Sequence, residues 1–148
     1  MSVDYKLYWR PEIEPEPVLD WFANALGLTR TGPRFLAGEA VFLALGTTGP
    51  QRRAGVLEDF GIDPAMDLSL VLDPNAPDEV YQAATRAVMV AATRFVVEHD
   101  LDCVLLLMHD LVLMRREHGL VTLRDEWSGW RAMQIDAALP VPYRRESG

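Results

Sequence analysis

Four carboxylates, Glu58, Asp59, Asp63 and Asp67, fall within ten residues of chain. Acidic groups at that density could hold a divalent cation or share acid and base roles. The spacing does not favour it: an EF-hand loop needs oxygen ligands at alternating positions closed by a bidentate Glu, and this run lacks that pattern. Asp59-Phe60-Gly61 has the letters of the kinase magnesium motif. The chain offers no Gly-rich nucleotide loop, no catalytic-loop sequence and a single lysine, Lys6, so that reading fails. The acidic 58–67 segment leaves two readings: a surface that meets another protein, or a small-molecule-binding or metal-dependent hydrolytic site.

The remaining reactive side chains assemble no known catalytic pattern. His99, His109 and His118 include no pair at helical zinc-ligand spacing, and one cysteine is too few for thiolate ligation. Cys103 lies inside the apolar run Leu101–Leu107, where a free thiol behaves as a small hydrophobe. Ser2, Ser69, Ser128 and Ser147 sit in no nucleophile elbow. Arg52-Arg53 and Arg115-Arg116 read as solvated charges. Trp127 and Trp130 share a face if helical, and either plug the open end of a core or form a contact patch. No metal and no cofactor is expected.

The composition sets the class. With 148 residues, 49% of them apolar and 24% charged, the chain fits one domain, predicted as a core over 1–127 and an extension over 128–148 packed on it. Fourteen basic against 22 acidic residues give a formal charge of −8. That disfavours nucleic acid, whose binders rely on Lys and Arg at phosphates, and suits a basic protein partner. The opening residues lack the basic start and apolar core of a signal peptide. The longest apolar stretch, 80–97, carries Arg86 and Arg94, which argues against a membrane span. A cytoplasmic location follows as the expectation.

Periodicity then supplies the elements. Val3, Tyr5, Leu7 and Trp9 alternate with Asp4, Lys6, Tyr8 and Arg10, and Met66, Leu68, Leu70 and Leu72 alternate with Asp67, Ser69, Val71 and Asp73: two strands, each with one buried face. Pro17 opens a helix that Gly27 stops. Ala40–Leu45 reads as a short apolar strand, and 46–65 as a long irregular connection. Asn75 caps a helix whose stripe is Val80, Ala84, Ala87, Val88, Ala91 and Phe95. Leu101–Met108, Leu111–Arg116 and Leu120–Arg124 read as three strands, joined at His109-Asp110 and His118-Gly119. A helical turn or two and an extended tail through Pro140-Val141-Pro142 complete the chain.

The order β-α-β-β-α-β-β-β predicts an α+β two-layer sandwich with a ferredoxin-like core. Its mostly antiparallel sheet would hold about six strands in the order 2-3-1-4-5-6, with two main helices on one face and the other face bare.

One longer pattern is more specific. Leu57-Glu58-Asp59-Phe60-Gly61-Ile62-Asp63-Pro64 leads into the alternating strand 66–73, followed by a long helix, the apolar strand 102–108 and Leu111-Val112-Leu113-Met114-Arg115-Arg116. Together with the opening strand and the helix ending Leu26-Gly27-Leu28, this resembles the Sit-type (swarming-inhibition, third class) immunity proteins of bacterial polymorphic-toxin systems over about residues 1–127. The sequence departs from that pattern at His109-Asp110, where a Gly-containing turn is expected. The resemblance implies a non-enzymatic protein, without cofactor, that neutralises a cognate toxin by binding it. The contact residues we expect are Glu58, Asp59 and Asp63 together with Asp125, Glu126 and Trp127, meeting a basic toxin surface. The free chain is expected to be a monomer or homodimer. A purely structural homo-oligomer is the remaining rival.

Overall fold

The computed structural model describes residues 3–139 and 142–146. Its strands are β1 (Val3–Arg10), β2 (Thr29–Gly32), β3 (Phe35–Ala37), β4 (Val41–Thr47), β5 (Met66–Leu72), β6 (Asp102–Leu107), β7 (Leu111–Glu117), β8 (Leu120–Arg124) and β9 (Tyr143–Glu146). Its helices are α1 (Pro15–Leu26), α2 (Pro50–Phe60), α3 (Asp78–Glu98) and α4 (Gly129–Ala132), with a 3-10 turn at Asp136–Ala138. All the strands join one sheet in the order β2-β3-β4-β5-β1-β6-β7-β8-β9, antiparallel except for the parallel β8–β9 pair.

These findings correct the expected architecture. Among the described residues the sheet is mixed and has nine strands rather than about six, and four helices accompany it rather than two. The class remains α+β, and the six expected strands keep their relative order, β4-β5-β1-β6-β7-β8. The additional strands β2, β3 and β9 are three or four residues long, too short for an alternation to register in sequence. The Pro140-Val141 part of the expected tail lies outside the described residues, and the chain beyond it re-enters the sheet as β9.

One face of the sheet carries the main core. Tyr5, Leu7 and Trp9 of β1 and Met66, Leu68, Leu70 and Leu72 of β5 point to the same side, where Val18, Leu19 and Phe22 of α1 meet Val88, Ala92, Phe95 and Val96 of α3. Phe95 is fully buried between Trp9 and Phe22, with ring centroids 5.3 and 4.8 Å away; burying such a side chain contributes about 1.5–3 kcal/mol. Gly27 ends α1 in the left-handed conformation, φ 65°, with its N–H on the Ala23 carbonyl. Asn75 does not cap α3; its N–H is held by Asp73 Oδ1 at 2.9 Å, and Pro77 stands at the cap.

The opposite face is not bare, as the alternation had implied. Tyr8, Val104, Leu106 and Val112 build a second cluster there with Val56 of α2 and Ile62, and Phe60 packs against it. A bulge between β6 and β7 makes this possible. Leu105 pairs with Met114 and Leu106 with Val112, so Leu113 is the extra residue; it faces the main core while Val112 faces the second.

Candidate functional site

The segment expected to be irregular, 46–65, finishes β4 at Thr47 and then forms α2. Pro50 at its first position needs no hydrogen-bond acceptor, and Gly61, φ 76°, closes it with an N–H to the Leu57 carbonyl. Of its eleven residues only Val56 is buried. The helix is pinned instead by its ends. Arg53 donates from Nε and Nη2 to the two carboxylate oxygens of Asp63 at 3.0 and 2.9 Å. Arg115 donates to the Phe60 carbonyl, Arg52 reaches the Tyr8 hydroxyl at 3.4 Å, and Thr48 N–H meets the Ala65 carbonyl.

That geometry separates the four carboxylates. Asp63 is engaged by Arg53, whose hydrogen bonds hold its carboxyl below the usual range. Asp67 lies on the sheet, 3.3 Å from Lys6 Nζ and accepting from Thr48 Oγ1 at 2.9 Å, while Lys6 also donates to Ser69 Oγ at 2.8 Å. Glu58 and Asp59 are exposed on the last turn of α2, and among the described residues neither makes a hydrogen bond or ion pair. No group of three or more His, Cys, Asp or Glu converges as a metal site among the described residues.

The second expected group stands elsewhere. Asp125 pairs with Arg145 at 2.8 Å, and Glu126 lies 4.0 Å from Arg124. Trp127 is half-buried, edge-on to Trp130 at 4.9 Å and to Tyr5 at 6.4 Å, and Trp130 is fully buried. Register fixes the separation. Ala65 N–H bonds the Trp9 carbonyl at one end of β1, whereas Asp125 follows β8 beyond the Met114–Leu123 pair, towards the end where Tyr5 pairs with Leu107. Asp63 thus turns to Arg53 while Glu58 and Asp59 stand on the last turn of α2, and Asp125, Glu126 and Trp127 follow β8 at the other end of the strands.

The three histidines stay apart from one another. His109 and His118 lie in the turns at opposite ends of β7, and His99 ends α3 with its ring 4.4 Å from Phe95. Burial pushes the Cys103 thiol up to about 12, so the thiolate needed for nucleophilic chemistry is not at hand.

Two features escaped sequence reasoning. One is the Lys6–Asp67–Ser69–Thr48 network, whose members come from three segments and meet through the β1–β5 and β4–β5 registers. The other is a stacked pair of exposed rings, Phe35 and Phe42, 5.8 Å apart on β3 and β4. Their signal was present: both interrupt a run whose other large apolar residues face the core.

No helix among the described residues is long and apolar enough to cross a membrane. No curated protein and no solved structure matches the chain. The SitI3-like family model matches it over residues 3–134, β1 to beyond α4, and the chain belongs to that family, the immunity-protein family whose pattern its sequence resembles.

Proposed function

We propose that the protein acts in the cytoplasm as an immunity protein, binding a cognate toxin domain and blocking it by surface contact, with no turnover and no cofactor. Membership of the SitI3-like family across residues 3–134 carries this reading.

The outer face of α2 is the contact surface that physical argument favours. Its charges run against its own dipole: Arg52 and Arg53 stand near the positive N-terminus, Glu58 and Asp59 at the negative C-terminus. Each such exposed charge costs about 0.3–1 kcal/mol. A basic toxin surface would meet Glu58, Asp59 and the negative helix end together, with Leu57, 49% exposed, as an apolar contact beside them. Asp63 supports this surface by holding Arg53. Asp125, Glu126 and Trp127 take a lesser share as a separate contact region, since each already has a partner inside the protein.

The test is co-expression with the C-terminal domain of the toxin encoded beside this chain's gene. Growth should be restored by the wild-type protein. A toxin domain that kills equally well with and without it defeats the reading.

A further inference from the structure

The face that carries α2 is only half covered. The second apolar cluster lies over β1, β6 and β7 and does not reach the outward side chains of β3, β4 and β5 or the first residues of β1, of which Phe35 and Phe42 are exposed and Val71 and Asp4 half-buried. Along one row of the register, Phe42 pairs with Val71 and Val71 with Asp4. The turn after β6 continues that row, because Met108 N–H bonds the Asp4 carbonyl at 2.9 Å and the Met108 sulfur accepts from Asp4 N–H at 3.4 Å. Phe35 stacks on Phe42. Phe35, Phe42 and Met108 are 42, 42 and 41% exposed, three of the five large apolar side chains that stand out to solvent among the described residues. Apolar exposure collected on one face marks contact surfaces, whereas scattered single residues do not.

A single carboxylate lies within this stripe. Asp4 Oδ1 is shut away from solvent and has no hydrogen-bond partner among the described residues. Oδ2 lies 3.3 Å from His109 Nε2, and the Asp4 side chain as a whole is 27% exposed. A carboxylate can accept several hydrogen bonds from a cationic donor, and in apolar surroundings such a bond is short and strong. The row therefore offers apolar contact on both sides of one acceptor that its own protein leaves under-used.

We propose that the uncovered half of this face, the stripe Phe35, Phe42, Val71 and Met108 around Asp4, seats a toxin segment that presents one Arg or Lys between bulky apolar side chains. This rests on the immunity reading above and adds to it a second, mainly apolar, part of the interface on the face that carries α2. Aromatic anchors next to a desolvated charge pair are where binding energy concentrates.

The test measures affinity for the same neighbouring toxin domain at fixed salt, using wild type, Phe42→Ala, Asp4→Asn and the pair Glu58→Gln with Asp59→Asn. Phe42→Ala and Asp4→Asn should each weaken binding about tenfold or more. Removing the matching toxin Arg or Lys should make Asp4→Asn silent. Phe42 is exposed, so its variant carries the test even if Asp4→Asn unfolds. If wild type binds and Phe42→Ala and Asp4→Asn bind within about twofold of it, this proposal falls while the immunity reading stands. If wild type neither binds nor protects, both fall. A wild-type dimer in sedimentation that Phe42→Ala dissolves would assign the stripe to a second copy of this chain and overturn the proposal.

Discussion

Arg116 is the most consequential charged side chain in the interior. It is buried, with Nη1 donating to the Leu101 carbonyl at 3.1 Å and Nη2 to Asp100 at 2.9 Å, while its Nε lacks a partner among the described residues. Asp100 itself is 89% exposed, so the ion pair proper is a weak contributor and the hydrogen bond to the backbone is the stronger one. Arg116→Ala should cost about 2–3 kcal/mol in urea unfolding, because it leaves a buried carbonyl unpaired and a cavity behind. Asp100→Asn should cost less than about 0.5 kcal/mol. Equal losses would show that the charge pair, not the carbonyl, matters.

Cys103 allows a pH prediction. Its thiol is raised in the folded protein to about 12 by burial. A raised group contributes stability that is whole below its unfolded value, about 8.5, and is lost as the pH climbs through the folded value. Wild-type stability should therefore fall between those limits by at most about 1.4 kcal/mol per pH unit beyond the fall seen in Cys103→Ala. Identical pH profiles for the two proteins would contradict the assignment. The turn ahead of β7 supplies a check of a different kind: Met108 and His109 hold φ of 53° and 72° without being glycine. His109→Gly should gain stability, by about 0.5–1 kcal/mol, a gain read directly from the denaturation midpoint.

Among the elements, α2 stands apart from α3. The second has eight buried residues and an apolar stripe that sequence periodicity displays openly; the first has one buried residue, a Gly-Pro start resembling a turn and a Gly at 55. Its helicity is imposed by the second cluster and by Arg53, Arg115 and Arg52, contacts between segments that no local pattern announces. That is why the strands with strict alternation and the long helix could be read from the residues while α2, the short strands and the covered half of the second face could not. Glu58 and Asp59 were picked out by the local crowding of carboxylates and by the Leu57–Pro64 pattern, and their placement on a helix end rather than in a loop came only with the fold. The same weak anchoring sets the dynamics. Amides of α2 should exchange with solvent well before those of α3, since few buried apolar contacts protect them. Val56→Ala should accelerate that exchange further while leaving α3 unchanged; uniform acceleration of both helices would mean that α2 opens only with the whole protein. Neutralising the opposed charges should reveal a trade-off. Glu58→Gln with Asp59→Asn should raise stability by about 0.6–2 kcal/mol, about 0.3–1 for each charge, and at the same time reduce protection against the toxin. A pair of substitutions that lowers stability would remove the reason for regarding those charges as kept for binding.

The molecule as a whole is two-sided. One face of the sheet is packed against α1 and α3, and the other carries both the exposed helix α2, with Glu58 and Asp59 on its last turn, and the exposed pair Phe35 and Phe42. Its formal charge of −8 acts over longer distances than any contact. Against a basic toxin such a charge guides the approach, and steering of this kind raises association rates by about 10 to 1000-fold at low salt. Screening shortens its reach to about 10 Å at 0.1 M ionic strength. Hence the association rate constant should fall about tenfold or more between low and high salt, while dissociation, set by the aromatic stripe and Asp4, should change little. The Glu58→Gln, Asp59→Asn protein should show a flatter salt dependence of association, and Phe42→Ala a faster dissociation at every salt concentration. Stopped-flow measurement of both rate constants separates the two contributions: an association rate indifferent to salt would mean that the acidity of the chain serves its solubility and not its encounter with the toxin.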